Sequence, residues 1–135
     1  MDESIGRLIK VAHTRFKAQL DELAKPYGLT GVQMGVIDYL RSAPDEVTQK
    51  DIENEFQIQG STVTVMIDRL ENKELVQRAK SLKDKRVNEI KLTEKGQNIS
   101  NLVKNYTQTH EKDILSQFSE EENKVILKFL HSFEK

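Results

Sequence analysis

Between Thr48 and Leu92 the spacing of apolar residues changes character twice, and few folds accept both changes in so short a span. Ile52 and Phe56 mark one face of a short helix. It opens on Thr48-Gln49-Lys50-Asp51, where a threonine hydroxyl can cap free amides and an acid sits in the first turn. Ile58-Gln59-Gly60-Ser61 interrupts that face. From about Ser61 the residues Val63, Met66, Ile67 and Leu70 restart a helical stripe, so two short helices meet across a tight turn containing glycine. After Leu75 the period falls to two. Val76, Arg78 and Lys80 lead into a polar tip from Ser81 to Lys85, and Val87, Ile90 and Leu92 return, which predicts a two-stranded hairpin. A helix-turn-helix followed by a hairpin is a winged helix-turn-helix.

The flanks are helical. Ile5, Leu8, Ile9, Ala12, Phe16, Leu20 and Leu23 recur at steps of three and four, predicting a long amphipathic helix that ends before Pro26 and Gly28. Thr30-Gly31-Val32-Gln33 has capping-box spacing and should open a helix that buries Val36, Ile37 and Leu40 and stops near Pro44. Thr93 can cap another long helix, marked by Ile99, Leu102, Val103, Tyr106, Ile114 and Leu115 and ending near Phe118. Ser119-Glu120-Glu121-Glu122 then starts a last helix with Val125, Ile126, Phe129, Leu130 and Phe133 on its apolar face.

The expected fold class is mainly α with a small β-hairpin wing. A winged helix-turn-helix core over 29–96 would sit between dimerisation helices at 1–28 and 97–135, in a single domain of 135 residues. The flanking helices carry apolar faces that the core does not need, and pairing with a second copy as a homodimer would cover them.

Charge distribution says more about partners than the net charge of −1. Between Val76 and Lys91, six basic residues (Arg78, Lys80, Lys83, Lys85, Arg86 and Lys91) face only Asp84 and Glu89, a local +4. Positive charge concentrated on one segment of an otherwise acidic chain is the footprint of a phosphate-binding element. With 36% hydrophobic and 32% charged residues, and no apolar run near the roughly 20 residues of a membrane span, a soluble protein without a membrane partner is expected. MDESIGRLIK is acidic and then amphipathic, unlike a signal peptide, so a cytoplasmic location is expected.

Catalysis and metal binding find little support. There is no cysteine, no nucleotide-binding glycine loop, no His-Glu-x-x-His and no nucleophile elbow. His110 and Asp113 lie one helical turn apart and read as a surface pair, while His13 and His131 are read as lacking a ligand at helical spacing. No catalytic residue, metal or cofactor is expected.

Asp84-Lys85-Arg86 followed by Leu92-Thr93-Glu94-Lys95-Gly96 resembles the wing-tip and wing-to-helix signature of the multiple-antibiotic-resistance regulator (MarR) family. Ser61-Thr62-Val63-Thr64 leading to Asp68-Arg69-Leu70-Glu71 is similar to that family's recognition helix, and the resemblance covers nearly the whole chain. It implies a transcription regulator, an obligate dimer with interlocked terminal helices that binds a pseudo-palindromic double-stranded DNA operator and is commonly released by a small phenolic or lipophilic ligand. It also implies that Arg86 enters or borders the minor groove while Asp84 helps hold the wing. Two positions depart from the family: Val65, where a basic residue is frequent, and Glu74, where a glycine commonly ends the helix.

The candidate DNA-contacting set is Thr48, Gln49, Gln59, Ser61, Thr62, Thr64, Val65, Arg69, Arg78, Lys83, Asp84, Lys85 and Arg86. A small-molecule effector would bind where the dimer helices meet the core, with His13, Phe16, Met34, Ile37, Tyr39 and Met66 as candidate lining. The rival reading is a winged-helix module that binds protein instead of DNA; charge concentrated at Lys83, Lys85 and Arg86 argues against it.

Overall fold

The structure, a computed structural model, describes residues 3–134. These fall into two compact units divided after Val103.

In the first unit, helix α1 (Ile5–Ala24) is capped by Ser4, whose hydroxyl accepts from the Arg7 amide. It gives way to a short 3-10 turn at Lys25–Tyr27 carrying Pro26, and Gly28 then turns the chain at φ 68°. Helix α2 (Gly31–Ser42) starts on the expected reciprocal box between Thr30 and Gln33. Asp21 adds a second cap from α1, accepting from the Gly31 amide at 2.7 Å.

Strand β1 (Val47–Thr48) runs directly into helix α3 (Gln49–Phe56), which ends with Gln57 in the left-handed region. Helix α4 (Gly60–Asn72) follows, then strands β2 (Val76–Lys80) and β3 (Asn88–Leu92). The expected two-stranded hairpin forms from β2 and β3, and an unexpected third strand extends the sheet. The sheet has three antiparallel strands in the order β1-β3-β2, with Val47 opposite Ile90 and Thr48 opposite Glu89. A two-residue strand leaves no alternation to detect, and Thr48 serves as both strand end and helix cap.

Met34, Val36 and Ile37 of α2, Ile52 of α3, and Val63, Ile67 and Leu70 of α4 are fully buried together. Burial of each such aliphatic side chain stabilises by about 1.5–3 kcal/mol. The three helices are thereby locked into one block, and the exposed side of α4 is held in a fixed orientation.

Helix α4 ends in the way a glycine would allow, although none stands there. Glu74 adopts φ 62°, the Leu75 amide donates to the Leu70 carbonyl, and the Glu74 amide donates to the Glu71 carbonyl. For a residue with a Cβ this conformation costs about 1–2 kcal/mol, partly offset by its smaller unfolded-state entropy. Glu74→Gly is therefore expected to stabilise the protein by about 0.5–1 kcal/mol. A thermal melt that is unchanged or lower would show that the Glu74 side chain contributes something its exposed position does not suggest.

Helix α5 (Glu94–Leu115) begins on Thr93, whose hydroxyl accepts from the Gly96 amide. It ends before the expected Phe118, because the Gln117 and Phe118 amides tighten onto Ile114 and Leu115 ahead of the Ser119 box. In the second unit, α6 (Glu120–His131) is tied back by the Asn123 amide to the Leu115 carbonyl. No residue of α6 is buried, and Val125, Leu130 and Phe133 are more than half exposed. Helix α1 likewise buries only Ala24. Leu20 and Leu23 of α1 pack against the core, whereas Ile5, Leu8, Ile9 and Phe16 and the apolar residues of α6 are left largely exposed.

Candidate nucleic-acid interface

The helix-turn-helix is braced from inside. Thr48 and Asp51 exchange hydrogen bonds with each other's amides at the head of α3. The Gln49 amide then reaches across to α4, donating to Thr64 Oγ1 at 2.8 Å and to the Gly60 carbonyl at 3.3 Å. Ser61, Thr62, Thr64, Val65 and Arg69 form the exposed side of α4, with Gln59 exposed at its N-cap and Thr48 and Gln49 half-buried beside it. The Thr64 hydroxyl donates to the Gly60 carbonyl at 2.9 Å and accepts from Gln49. Its donor is spent, which leaves one lone pair and a methyl group for any partner.

The wing is organised by a residue that sequence reading passed over. Ser81 is buried; its hydroxyl accepts from the Lys83 and Asp84 amides and donates to the Glu46 carboxylate. The serine-to-amide spacing is a local signal of a turn. Its partner Glu46 lies far away in sequence and gives none.

Asp84 and Arg86 form a two-pronged pair, with Nε and Nη2 of Arg86 donating to the carboxylate at 3.0 and 3.1 Å and the Arg86 amide adding a third bond. The Arg86 side chain first, and its amide second, hold the Asp84 carboxyl below its usual value, and the carboxylate raises the Arg86 guanidinium in turn. A lowered carboxylate contributes order that is present above its unfolded value and lost as pH falls, so the pair persists throughout the neutral range. The Arg86 side chain remains 89% exposed. Three of its five N–H donors are not used by Asp84. Lys83 and Lys85 are exposed beside it.

Arg78, another of the candidate DNA contacts, is held differently from Arg86. Its guanidinium meets Glu71 at 2.7 Å and Asp68 at 2.9 Å, and its side chain is only 22% exposed. Two carboxylates on α4 neutralise it and pull it inward, so it fixes the angle between wing and helix.

The six candidate effector residues are not brought together as one lining. Met34 and Ile37 are fully buried in the core and have no surface to offer a ligand. Tyr39 packs edge-on against Phe56, and burial, then Asp51 and Glu55, raise its hydroxyl above the usual value. His13 and Phe16 lie exposed on α1. Met66 borders an open groove of about 410 Å³ with Thr30, Gln33, Thr62 and Arg69, which includes none of the other five. Periodicity marks Phe16, Ile37 and Met66 as apolar without distinguishing core from lining, and only their place in the chain points to His13, Met34 and Tyr39. His131 also needs correction: its Nδ1 meets the carboxylate of Glu134 one turn on. Among the described residues no group of three could hold a metal ion, and no helix is long and apolar enough to cross a membrane.

Residues 27–87 match the sequence model of the MarR family. Over 133 residues the chain is 34% identical to the HTH-type transcriptional regulator PecS of Dickeya dadantii, spanning 97% of this chain and 80% of that one. Its fold is similar to the transcription regulator MarR from Oenococcus oeni PSU-1, at 38% identity and TM-score 0.80, with 96% of this chain and 97% of the other covered. It is also similar to S. aureus MepR in a DNA complex, at 27% identity and TM-score 0.84, with 97% and 96% covered.

Proposed function

The chain belongs to the MarR family of winged helix-turn-helix transcription regulators, and from that premise we propose that it is a homodimeric repressor of a pseudo-palindromic operator, released by a small lipophilic or phenolic ligand. It is a DNA-binding regulator and not an enzyme. In this reading α4 enters the major groove and the wing tip meets the adjacent minor groove. The observation that carries it is the wing: Ser81 and Asp84 stiffen a tip on which Lys83, Lys85 and Arg86 are all exposed. Cations held in advance lose little conformational freedom on meeting phosphate.

The uncovered apolar faces of α1 and α6 support the dimer, in which two copies of α4 would meet half-sites one helical turn, about 34–36 Å, apart. A ligand releases such a dimer only by binding more tightly to a form whose half-site separation is wrong for DNA.

The test is selection of genomic fragments by the purified protein, followed by salt-titrated binding to the enriched sequence. An imperfect palindrome with affinity that falls steeply with salt is expected. No enrichment over random DNA from a folded dimer would overturn the reading in favour of a protein-binding module.

Asp84→Asn separates positioning from simple charge. Removing an acid near phosphates ordinarily strengthens binding. Here the release of a fixed Arg86 on each wing is expected to dominate, weakening operator affinity by about five- to fiftyfold, the effect of freeing two ordered side chains in the dimer. Tighter binding by the variant, measured by fluorescence anisotropy, would mean that Asp84 acts only as a charge.

A further inference from the structure

We propose that Leu82 is a specificity-determining residue: an apolar wedge that the wing delivers into the minor groove, making affinity depend on how easily the base steps beneath it open. The inference rests on the DNA-binding reading. Leu82 is 91% exposed, while the next most exposed large apolar residue among those described, Val125, reaches 65%. Val125 lies on the long apolar stripe of α6; Leu82 stands apart from any such stripe, at the tip of a hairpin.

It is also held there. The Ser81 hydroxyl gathers the Lys83 and Asp84 amides, the Ser81 amide donates to the Val87 carbonyl, and Glu46 anchors the serine below. The turn therefore keeps a leucine in water while burying the serine before it. Exposed Lys80, Lys83, Lys85 and Arg86 flank it, so the surface that approaches this tip most favourably is polyanionic.

On a duplex, that arrangement seats the cations on the phosphates and leaves the leucine over the groove between them. A minor groove about 6 Å wide accepts a single side chain but not a helix. Apolar side chains in such a position partly unstack a base step, and pyrimidine–purine steps resist this least. The resulting preference requires no hydrogen bond to any base.

The experiment uses the full-length protein and duplexes carrying the palindrome recovered by fragment selection, with flanks under the wings made either of alternating TA steps or of a run of A. The two flanks have the same composition and nearly the same minor-groove hydrogen-bonding pattern, but differ in stiffness. The measured quantity is the ratio of affinities for the two duplexes, compared between the wild type and Leu82→Ser. The substitution is expected to lower the relative preference for TA flanks by about tenfold, without changing the salt slope, because every cation on the phosphates stays in place. Comparing variants cancels any attraction of Arg86 for the narrow groove of the A run.

A Leu82→Ser protein that melts normally and keeps the wild-type ratio would overturn the proposal. Arg86→Ala on the same duplexes distinguishes the two levels. A lowered slope there with an unchanged Leu82 ratio leaves the DNA reading standing and removes the wedge. An unaltered slope and affinity in Arg86→Ala would remove the wing from DNA and the wedge with it.

Discussion

Replacing Arg86 by alanine is expected to weaken operator binding at least about a hundredfold at moderate salt and to flatten its salt dependence. Hydrogen bonds to charged groups are worth about 1.5–3 kcal/mol, each 1.4 kcal/mol is about tenfold in affinity, and in a dimer the substitution strips one such cation from each wing. Every phosphate left without its cation also lowers the logarithmic salt slope by about 0.9, so the slope of the dimer should fall by close to 2. Arg78→Ala provides the contrast. It removes a cation only a few residues away, but one already neutralised by Asp68 and Glu71. Its slope is expected to stay within experimental scatter of the wild type, with only a modest drop in affinity as the wing angle loosens. Equal slope changes for the two variants would mean that the ion pairs of Arg78 open on DNA, and that electrostatic bracing of the wing is not what separates the two arginines.

Gly96→Ala is expected to be the most damaging small substitution to stability. A Cβ at this position would lie 2.0 Å from the Leu75 carbonyl oxygen and 3.1 Å from the Leu92 side chain. The carbonyl cannot easily retreat, because it accepts from the Thr93 amide at 3.1 Å and the Leu75 amide is itself bonded to Leu70. Ordinary overpacking costs about 1–3 kcal/mol. Backbone obstruction by a bonded carbonyl should reach or exceed the top of that range, lowering the melting temperature by roughly 10 °C for a domain of this size. Chemical denaturation at fixed protein concentration would separate this destabilisation from any change in dimer affinity. A melt close to wild type would show that the junction of α4, β2 and α5 yields more readily than its hydrogen bonds imply.

The close approach at Gly96 illustrates why some of the site could be read from sequence and some could not. Its glycine was visible as part of a motif, but the atom that requires it belongs to Leu75, on the far side of the hairpin. Thr30 with Gln33, Thr48 with Asp51 and Ser119 with Glu122 were legible because a cap and its partner lie within one helical turn. The exposed positions of α4 were legible for the same reason: Val63, Met66, Ile67 and Leu70 must point inward, and rotation about the helix then assigns Ser61, Thr62, Thr64, Val65 and Arg69 to the outside.

Sequence by itself therefore determined the order of the helices, the helix-turn-helix, the hairpin of the wing and the concentration of charge upon it, since each depends on period or composition within a short window. Tertiary structure decided which charges remain available. Arg78 and Arg86 have the same side chain and lie on the same hairpin, yet one is drawn onto Asp68 and Glu71 while the other stays exposed beside Asp84. It also decided that β1 joins β3, that Glu46 anchors Ser81, and that Met34 and Ile37 fill the core. Period constrains the direction of a side chain relative to its own backbone. What that side chain meets depends on elements brought together only when the chain folds.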